Sequence, residues 1–170
     1  MKFTSNKHNT VLYNNLLTLS RNIFFYKDLN LKDDFETRLY LMFIHFSIIL
    51  KIYKRKNSKF NQTLYDSLFH NIEYNIREMG YGDVAVNKKM KDFNKLLYDI
   101  LLKIENNKNN FFSINDDLVF KYFPDFVGSN KDKYEKFKDY IINFYDFCFE
   151  LPLDNVVREV INFKYSYGST

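Results

Sequence analysis

The chain has 170 residues with 46% hydrophobic and 27% charged side chains, a balance that excludes a disordered or fibrous protein. Its four glycines and two prolines are too few for a β-sandwich or barrel, which needs a turn about every 8–12 residues. The net charge of +4 would suit RNA, an anionic membrane or an acidic partner, but most basic residues are lysine, which also fits simple compositional bias.

A single cysteine, Cys148, rules out an intramolecular disulfide and every cysteine-based zinc pattern, as expected in a reducing compartment. Its aromatic surroundings predict a small buried filler rather than a reactive thiol. Residues 1–10 are polar and lack a secretory signal pattern. The most apolar stretch, 39–50, is shorter than the roughly 20 residues that a bilayer-spanning helix needs, so it predicts a buried core helix. A cytoplasmic or matrix-like location is expected.

Apolar residues recur at helical spacing along most of the chain, and no long stretch alternates between apolar and polar residues. The sequence therefore predicts an all-α fold, a single-domain bundle of about six to seven helices that spans residues 1–170. The long helices are expected at 10–26, 35–56, 61–79 and, after a turn at 80–86, up to about 105. A polar run at 106–110 predicts a loop.

Three more helices are expected in the last third of the chain, of which the first and the last are short. The first should begin at a loose capping box formed by Ser113 and Asp116, and Pro124 should end it. The other two are expected at 129–150 and 152–163, followed by a tail at 165–170.

The three histidines, His8, His45 and His70, fall on different predicted elements, and none has a companion nucleophile or ligand. The short motifs of zinc proteases, redox dithiols, serine hydrolases and phosphate-binding loops are also missing. The sequence therefore predicts a protein that is not an enzyme and has no cofactor or metal. His45, on the apolar second helix, is expected to be buried and hydrogen-bonded. A shallow catalytic site around His45 and Arg77 is the remaining enzymatic alternative.

Residues 75–86 need a more specific explanation, because half of the glycines lie two residues apart within them. Gly80 is expected to take positive φ at the helix end, and Gly82 to allow a close approach or a second reversal. Asp83 is expected to accept backbone N–H bonds within the turn. Three lysines follow near the start of the next helix: Lys88, Lys89 and Lys91. Cations are mildly unfavourable there, so they indicate an external anion or acidic partner, or else lysine bias.

The sequence IREMGYGDV at 76–84, followed by VNKKM at 86–90, resembles the LREMGVGD motif and its basic sequel in the ubiquinol-cytochrome c chaperone family. Further similar elements lie upstream: Leu12-Tyr13, Ser20-Arg21 before Phe25-Tyr26, FETRL at 35–39, and Ile44-His45. The resemblance covers about residues 12–105. One departure is Tyr98-Asp99-Ile100, where the family has Tyr-Gly-Arg.

The resemblance implies a non-catalytic assembly chaperone without a cofactor, which binds newly made, unassembled cytochrome b and assists assembly of the ubiquinol-cytochrome c reductase (bc1) complex. It also implies a small partner protein, contact with the ribosome or the membrane surface, and no specific nucleic acid. Its expected location is cytoplasmic, peripheral at the inner face of the membrane, which is the matrix side in a mitochondrion.

We expect the partner-binding residues to lie in and around the motif: Arg38, His45, Arg77, Glu78, Gly80, Gly82 and Asp83, with Lys88 and Lys89 for electrostatic contact. The alternative is that the motif only locks two helices together. A function of a different class is a peripheral membrane- or RNA-binding helical protein without a cytochrome client. Such a protein would use its lysines and exposed aromatic residues, and its binding would fall steeply with salt.

Overall fold

The computed structural model describes residues 10–106, 112–128 and 131–167. Within these ranges the chain forms seven α-helices: α1 (Val11–Ser20), α2 (Phe35–Arg55), α3 (Gln62–Glu78), α4 (Asp83–Lys103), α5 (Asp116–Tyr122), α6 (Lys131–Glu150) and α7 (Leu153–Glu159). A short antiparallel hairpin joins α4 to α5, with strands β1 (Ile104–Asn106) and β2 (Phe112–Ile114). The all-α prediction is confirmed, and the single-domain organisation stays a prediction.

The first helix is shorter than predicted, because α1 ends at Ser20 and not near residue 26. The Ser20 hydroxyl donates to the carbonyl of Leu17 at 2.7 Å, and such side-chain bonds to the backbone compete with continued helix. The side chain of Asn22 then accepts the backbone N–H of Phe24 at 3.0 Å, where a single π-helical turn, Phe24–Asp28, begins. This turn carries Phe24 and Phe25 into the core.

Helix α2 lies at the centre of the fold and contacts α1, α4 and α6. Asp34 caps its start, accepting the backbone N–H of Thr37 at 2.8 Å. Every residue from Leu41 to Ile49 is buried, which confirms the predicted core helix. At its basic end, Lys56 donates to the carbonyl oxygens of Phe149 at 2.5 Å and Leu151 at 3.1 Å. The end of α2 is therefore tied to the end of α6.

The prediction was wrong at the hairpin. Helix α4 ends at Lys103 rather than 105, and the next three residues form β1. Ser113, the predicted cap, lies in β2, and Asn115 caps α5 instead by accepting the N–H of Asp117 at 2.8 Å. Within the predicted loop 106–110, only Asn106 is described, and it belongs to β1.

The last helices pack back onto the core through aromatic side chains. As predicted, α5 stops before Pro124, which begins a 3₁₀ turn, Pro124–Phe126. The start of the sixth helix, expected at 129, lies outside the described residues, and α6 is described from Lys131. The helix expected at 152–163 is split into α7 and a second 3₁₀ turn, Val160–Asn162. Residues 168–170 of the expected tail are outside the described residues.

Tyr165, predicted to belong to the tail, packs on the core. Its ring meets that of Phe24 edge-on at 4.8 Å, and its hydroxyl donates to Asp139 on α6 at 2.8 Å. Cys148 is fully buried, and burial raises the pKa of its thiol, so the predicted filler role fits. Among the described residues, no helix is long and apolar enough to cross a membrane.

Candidate partner-binding surface

The turn between α3 and α4 begins as predicted, with a left-handed glycine. Gly80 has φ +91° and donates its N–H to the carbonyl of Arg77 at 3.0 Å. Gly82 occupies the N-cap position of α4 with φ −74°, and a Cβ built on it would meet no atom within 4 Å. The prediction that Gly82 permits a close approach is therefore corrected. Helix α4 also begins at Asp83, inside the turn that was expected to reach residue 86.

Arg77 and Asp83 hold this turn from outside. The Arg77 guanidinium donates to the Glu73 carboxylate at 2.9 and 3.1 Å, and its other arm pairs with Asp83 across the turn. Asp83 was predicted to accept backbone N–H bonds, but its carboxylate takes the guanidinium instead. Exposed ion pairs of this kind contribute little to stability, because water and salt screen them. The pair braces the turn, and Glu78 beside it is exposed.

A narrow apolar recess of about 90 Å³ lies where α1, α2 and α3 meet. Its lining is mostly apolar: Tyr13, Leu17, Phe35, Leu39, Met42, Ile72 and Met79, with Arg21, Arg38 and Asn75. Asn75 ties α3 to α1 here, donating to the Tyr13 hydroxyl at 2.7 Å. Small-molecule pockets begin at roughly 300 Å³, so the recess suits one large side chain of a partner rather than a cofactor.

A wider and shallower recess of about 330 Å³ adjoins it. The two share Phe35 and Met79 as lining residues, and we call them together the α1–α4 groove. Met79 is 53% exposed and Tyr81 43% exposed, which is high for large apolar side chains. The Lys89 ammonium lies 4.6 Å from the centre of the Tyr81 ring. Two of the predicted residues, Arg38 and Lys89, therefore line this groove.

Some charged side chains along the groove have an ion-pair partner among the described residues, and others do not. Arg38 donates through Nε to Asp33 at 2.9 Å, and Lys32 pairs with Asp34 at 2.9 Å. The backbone N–H of Thr37 is the main cause that lowers the pKa of the Asp34 carboxyl, so this cap is anionic at neutral pH. Arg21 is exposed and takes part in no ion pair among the described residues. Its guanidinium is available to an acidic group beside the apolar recess.

His45 does not belong to this surface. It is fully buried, with Nδ1 2.7 Å from the Leu41 carbonyl oxygen and Nε2 2.9 Å from the Tyr140 hydroxyl. A carbonyl only accepts, so Nδ1 carries the proton and Nε2 accepts from Tyr140. Burial lowers the pKa of His45 to about 4, which keeps the ring neutral. The expected contact of His45 with a partner is corrected, whereas its predicted burial and hydrogen bonding are found.

The model of the ubiquinol-cytochrome C chaperone family matches residues 27–112, just over half of the chain. The chain belongs to this family. The resemblance predicted from the motif is thereby confirmed, although the matched segment begins and ends later than the predicted 12–105. Neither the curated proteins nor the solved structures compared with the chain gave a match. Membership assigns the chain a chaperone role in assembly of the ubiquinol-cytochrome c reductase complex, which is a non-enzymatic role.

The segment matched by the chaperone family contains three walls of the groove, on α2, α3 and α4, whereas α1 lies before it. Sequence reasoning missed several groove residues: Tyr13, Leu17, Arg21, Phe35, Asn75, Met79 and Tyr81. A usable signal existed, since Tyr13, Arg21 and Phe35 all stand in the upstream elements that resemble the family. Lys88 is exposed and lies outside the groove lining, so the two predicted lysines face different surroundings.

Proposed function

We propose that this chaperone binds cytochrome b, newly made and not yet assembled, through the α1–α4 groove. The observation that carries the proposal is the exposed apolar pair Met79 and Tyr81 beside a recess large enough for one side chain. An unassembled membrane subunit exposes apolar helix surfaces, and a temporary complementary groove reduces their contact with water. Family membership supports a client in bc1 assembly, and the choice of cytochrome b is our inference.

Met79 suits a groove that receives a client in several orientations. Its unbranched thioether side chain fills irregular gaps and adapts to the group it contacts. Tyr81 offers a rigid ring with a polar tip, a combination enriched at protein interfaces. The Tyr81 ring contacts the Lys89 ammonium, which lies 4.6 Å from its centre. The ring forms one edge of the wider recess.

The motif residues that do not line the groove support it indirectly in this proposal. The Arg77–Asp83 pair and the positive φ of Gly80 fix the turn that carries Met79 and Tyr81. Glu78 and Gly82 lie on the same exposed turn and would contact a client at its edge. In this proposal the motif is both a binding site and a brace, because Met79 and Tyr81 bind the client while the Arg77–Asp83 pair holds the turn.

We further propose that the chaperone works peripherally at the inner face of the membrane, where cytochrome b is inserted. No described helix is long and apolar enough to span the bilayer, so the described residues would reach the client from one side. A small partner protein and a ribosome or membrane contact belong to the same proposal. They would use surfaces outside the groove.

The test is co-purification of cytochrome b with the tagged full-length chain from its native cells. The variant Met79→Ser/Tyr81→Ser removes the exposed apolar pair. Its matched control is Val127→Ser/Tyr167→Ser, which removes two similarly exposed apolar side chains elsewhere. Circular dichroism and a thermal unfolding curve check that both variants fold.

We expect the control to retain cytochrome b at the wild-type level and the groove variant to lose at least fivefold. Equal recovery with both folded variants would exclude the groove as the binding surface. Absence of cytochrome b from the wild-type eluate would exclude the client itself. The membrane- or RNA-binding alternative is favoured by a different result. Wild type and both variants would then bind membranes or RNA equally, and this binding would fall steeply with salt.

A further inference from the structure

The outer face of α4 carries a stripe of exposed residues that the groove does not use. Its members recur every four or three residues: Val84, Lys88, Lys91, Lys95, Tyr98 and Leu102. At about 100° per residue they lie within an arc of roughly 80° on the helix surface. Val84 is 86% exposed, Tyr98 58% and Leu102 76%. We call this set the α4 stripe.

The three lysines of the α4 stripe have no counter-charge within the described residues. None of them takes part in an ion pair there, whereas Lys103 on the same helix pairs with Asp99 at 2.7 Å. Two acidic residues of α4 flank the stripe on one side, Asp92 at about 80° and Asp99 at about 60° from its centre line, and Asp99 already pairs with Lys103 and Lys121. The centre of the stripe is therefore cationic and its two ends are apolar.

Spacing of four and three residues is the repeat of a seam between two packed helices. Over the 18 residue steps from Val84 to Leu102, at about 1.5 Å each, the seam is roughly 27 Å long, enough for about five turns of a partner helix. Three consecutive lysines inside such a seam repel a like-charged partner and attract a helix with carboxylates opposite them. The apolar ends would then pack against apolar residues of the same helix.

We propose that the α4 stripe docks an acidic amphipathic helix of a partner protein. Its seam carries Glu or Asp opposite the three lysines and large apolar residues opposite Val84, Tyr98 and Leu102. This contact is separate from the groove, because none of the six stripe residues lines either recess. It therefore goes beyond client binding and can occur with the groove filled or empty.

Other occupants fit the α4 stripe less well. A second copy of the chain that docked through its own α4 stripe would place lysines against lysines. The four stretches whose backbone is not described, 1–9, 107–111, 129–130 and 168–170, contain no Asp or Glu that could neutralise it. On an anionic bilayer, the lysines would occupy the line of deepest contact and hold the apolar ends away from the acyl region.

The test measures binding of two designed 21-residue helical peptides to the full-length chain by fluorescence anisotropy. Their seams match the stripe in parallel and antiparallel order, with Glu opposite each lysine and Leu opposite each apolar residue, and a scrambled peptide has the same composition. The chain variant is Lys88→Glu/Lys91→Glu/Lys95→Glu. The control is Lys27→Glu/Lys59→Glu/Lys164→Glu, three exposed lysines on other elements with the same change in net charge.

We expect one matched peptide to bind wild type at least tenfold more tightly than the scrambled peptide does. The stripe variant should lose at least tenfold in affinity, and the control variant less than threefold. Equal losses in the two variants would overturn the proposal, since they show attraction to net charge alone. Stripe-dependent binding to vesicles with 30% phosphatidylserine, without binding to either peptide, would overturn it in favour of a membrane.

The two proposals fail separately. Loss of cytochrome b from the Met79→Ser/Tyr81→Ser variant tests the groove, and that variant should bind the matched peptide as wild type does. The stripe variant Lys91→Glu/Lys95→Glu, which keeps Lys88, should in turn retain cytochrome b. If the groove variant loses the peptide, then the two surfaces are one and the separate docking surface is wrong.

Discussion

The Nε2 atom of His45 on α2 lies 2.9 Å from the hydroxyl of Tyr140 on α6, a contact between residues 95 apart in the chain. On the other side of the ring, Nδ1 of His45 donates its proton to the Leu41 carbonyl. Five described aromatic rings have their centres within 6.0 Å of the His45 ring or the Tyr140 ring: Phe24, Phe25, Phe144, Phe163 and Tyr165. A neutral imidazole is thus part of the core.

Stability should fall on mild acidification because of His45. Its pKa is about 4 when folded and about 6.5 when exposed, so the unfolded chain binds more protons between these values. The contribution of neutral His45 to the free energy of unfolding is fully present above pH 6.5 and is lost as the pH falls towards 4. From pH 7.5 to 5, we expect this group to lower the free energy of unfolding by about 2 kcal/mol.

Urea unfolding at the two pH values measures this change, with His45→Gln and the exposed control His70→Gln. The His70 variant should keep the pH dependence, and the His45 variant should lose most of it. Nitrogen-15 spectra of the histidine rings provide a second measurement that needs no variant. A His45 ring that becomes charged near pH 6.5 in the folded protein would contradict the prediction.

Removing the Tyr140 hydroxyl should destabilise the protein although the ring remains. Tyr140→Phe leaves Nε2 of His45 buried without a donor, which costs about 1–3 kcal/mol. It should also change the pH dependence little, since burial is the main cause of the lowered pKa. Tyr53→Phe is a milder comparison, because its hydroxyl donates to a carbonyl in a partly buried place. Equal unfolding free energies for Tyr140→Phe and wild type would disprove the contact.

The two motif glycines should respond differently to alanine. Gly80→Ala forces a side chain into φ +91°, and we expect a loss of about 1–2 kcal/mol. Gly82→Ala meets no atom within 4 Å at φ −74°, and we expect a change below about 1 kcal/mol. Thermal unfolding of the two single variants measures both values. A larger loss at Gly82 would show that the turn depends on a close approach there.

The Arg77–Asp83 pair should stabilise the turn only weakly. A double-mutant cycle of Arg77→Ala and Asp83→Ala should give only a small coupling free energy, because both side chains are exposed. The coupling should shrink further in 1 M salt, where the Debye length is about 3 Å. Coupling of several kcal/mol that resists salt would contradict a solvent-exposed pair.

The helices could be predicted from sequence where apolar spacing or a glycine fixed them locally. The apolar run at 39–50 predicted α2, and Gly80 predicted the end of α3. The hairpin could not be predicted, because strands of three residues are too short to show alternation. Ser113 and Asn115 are both good caps two residues apart, and only pairing of Ser113 with β1 decides between them.

The groove was hidden for a different reason. Tyr13, Phe35 and Met79 come from three helices, and each has the pattern of an ordinary core residue in its own helix. Only packing of α1 against both α2 and α3 leaves Met79 half exposed beside a recess. In the same way, His45 was expected to be buried, but nothing local identifies Tyr140 as its partner.

The tie between α2 and α6 has a consequence for dissecting the protein into fragments. The family-matched segment 27–112 ends before α6. Yet His45 on α2 is hydrogen-bonded to Tyr140, and Lys56 at the end of α2 donates to the carbonyls of Phe149 and Leu151. A fragment cut at residue 112 would uncover an imidazole nitrogen, an ammonium group and the apolar side of α2 together. We therefore expect the matched segment to need residues beyond 112 in order to fold stably.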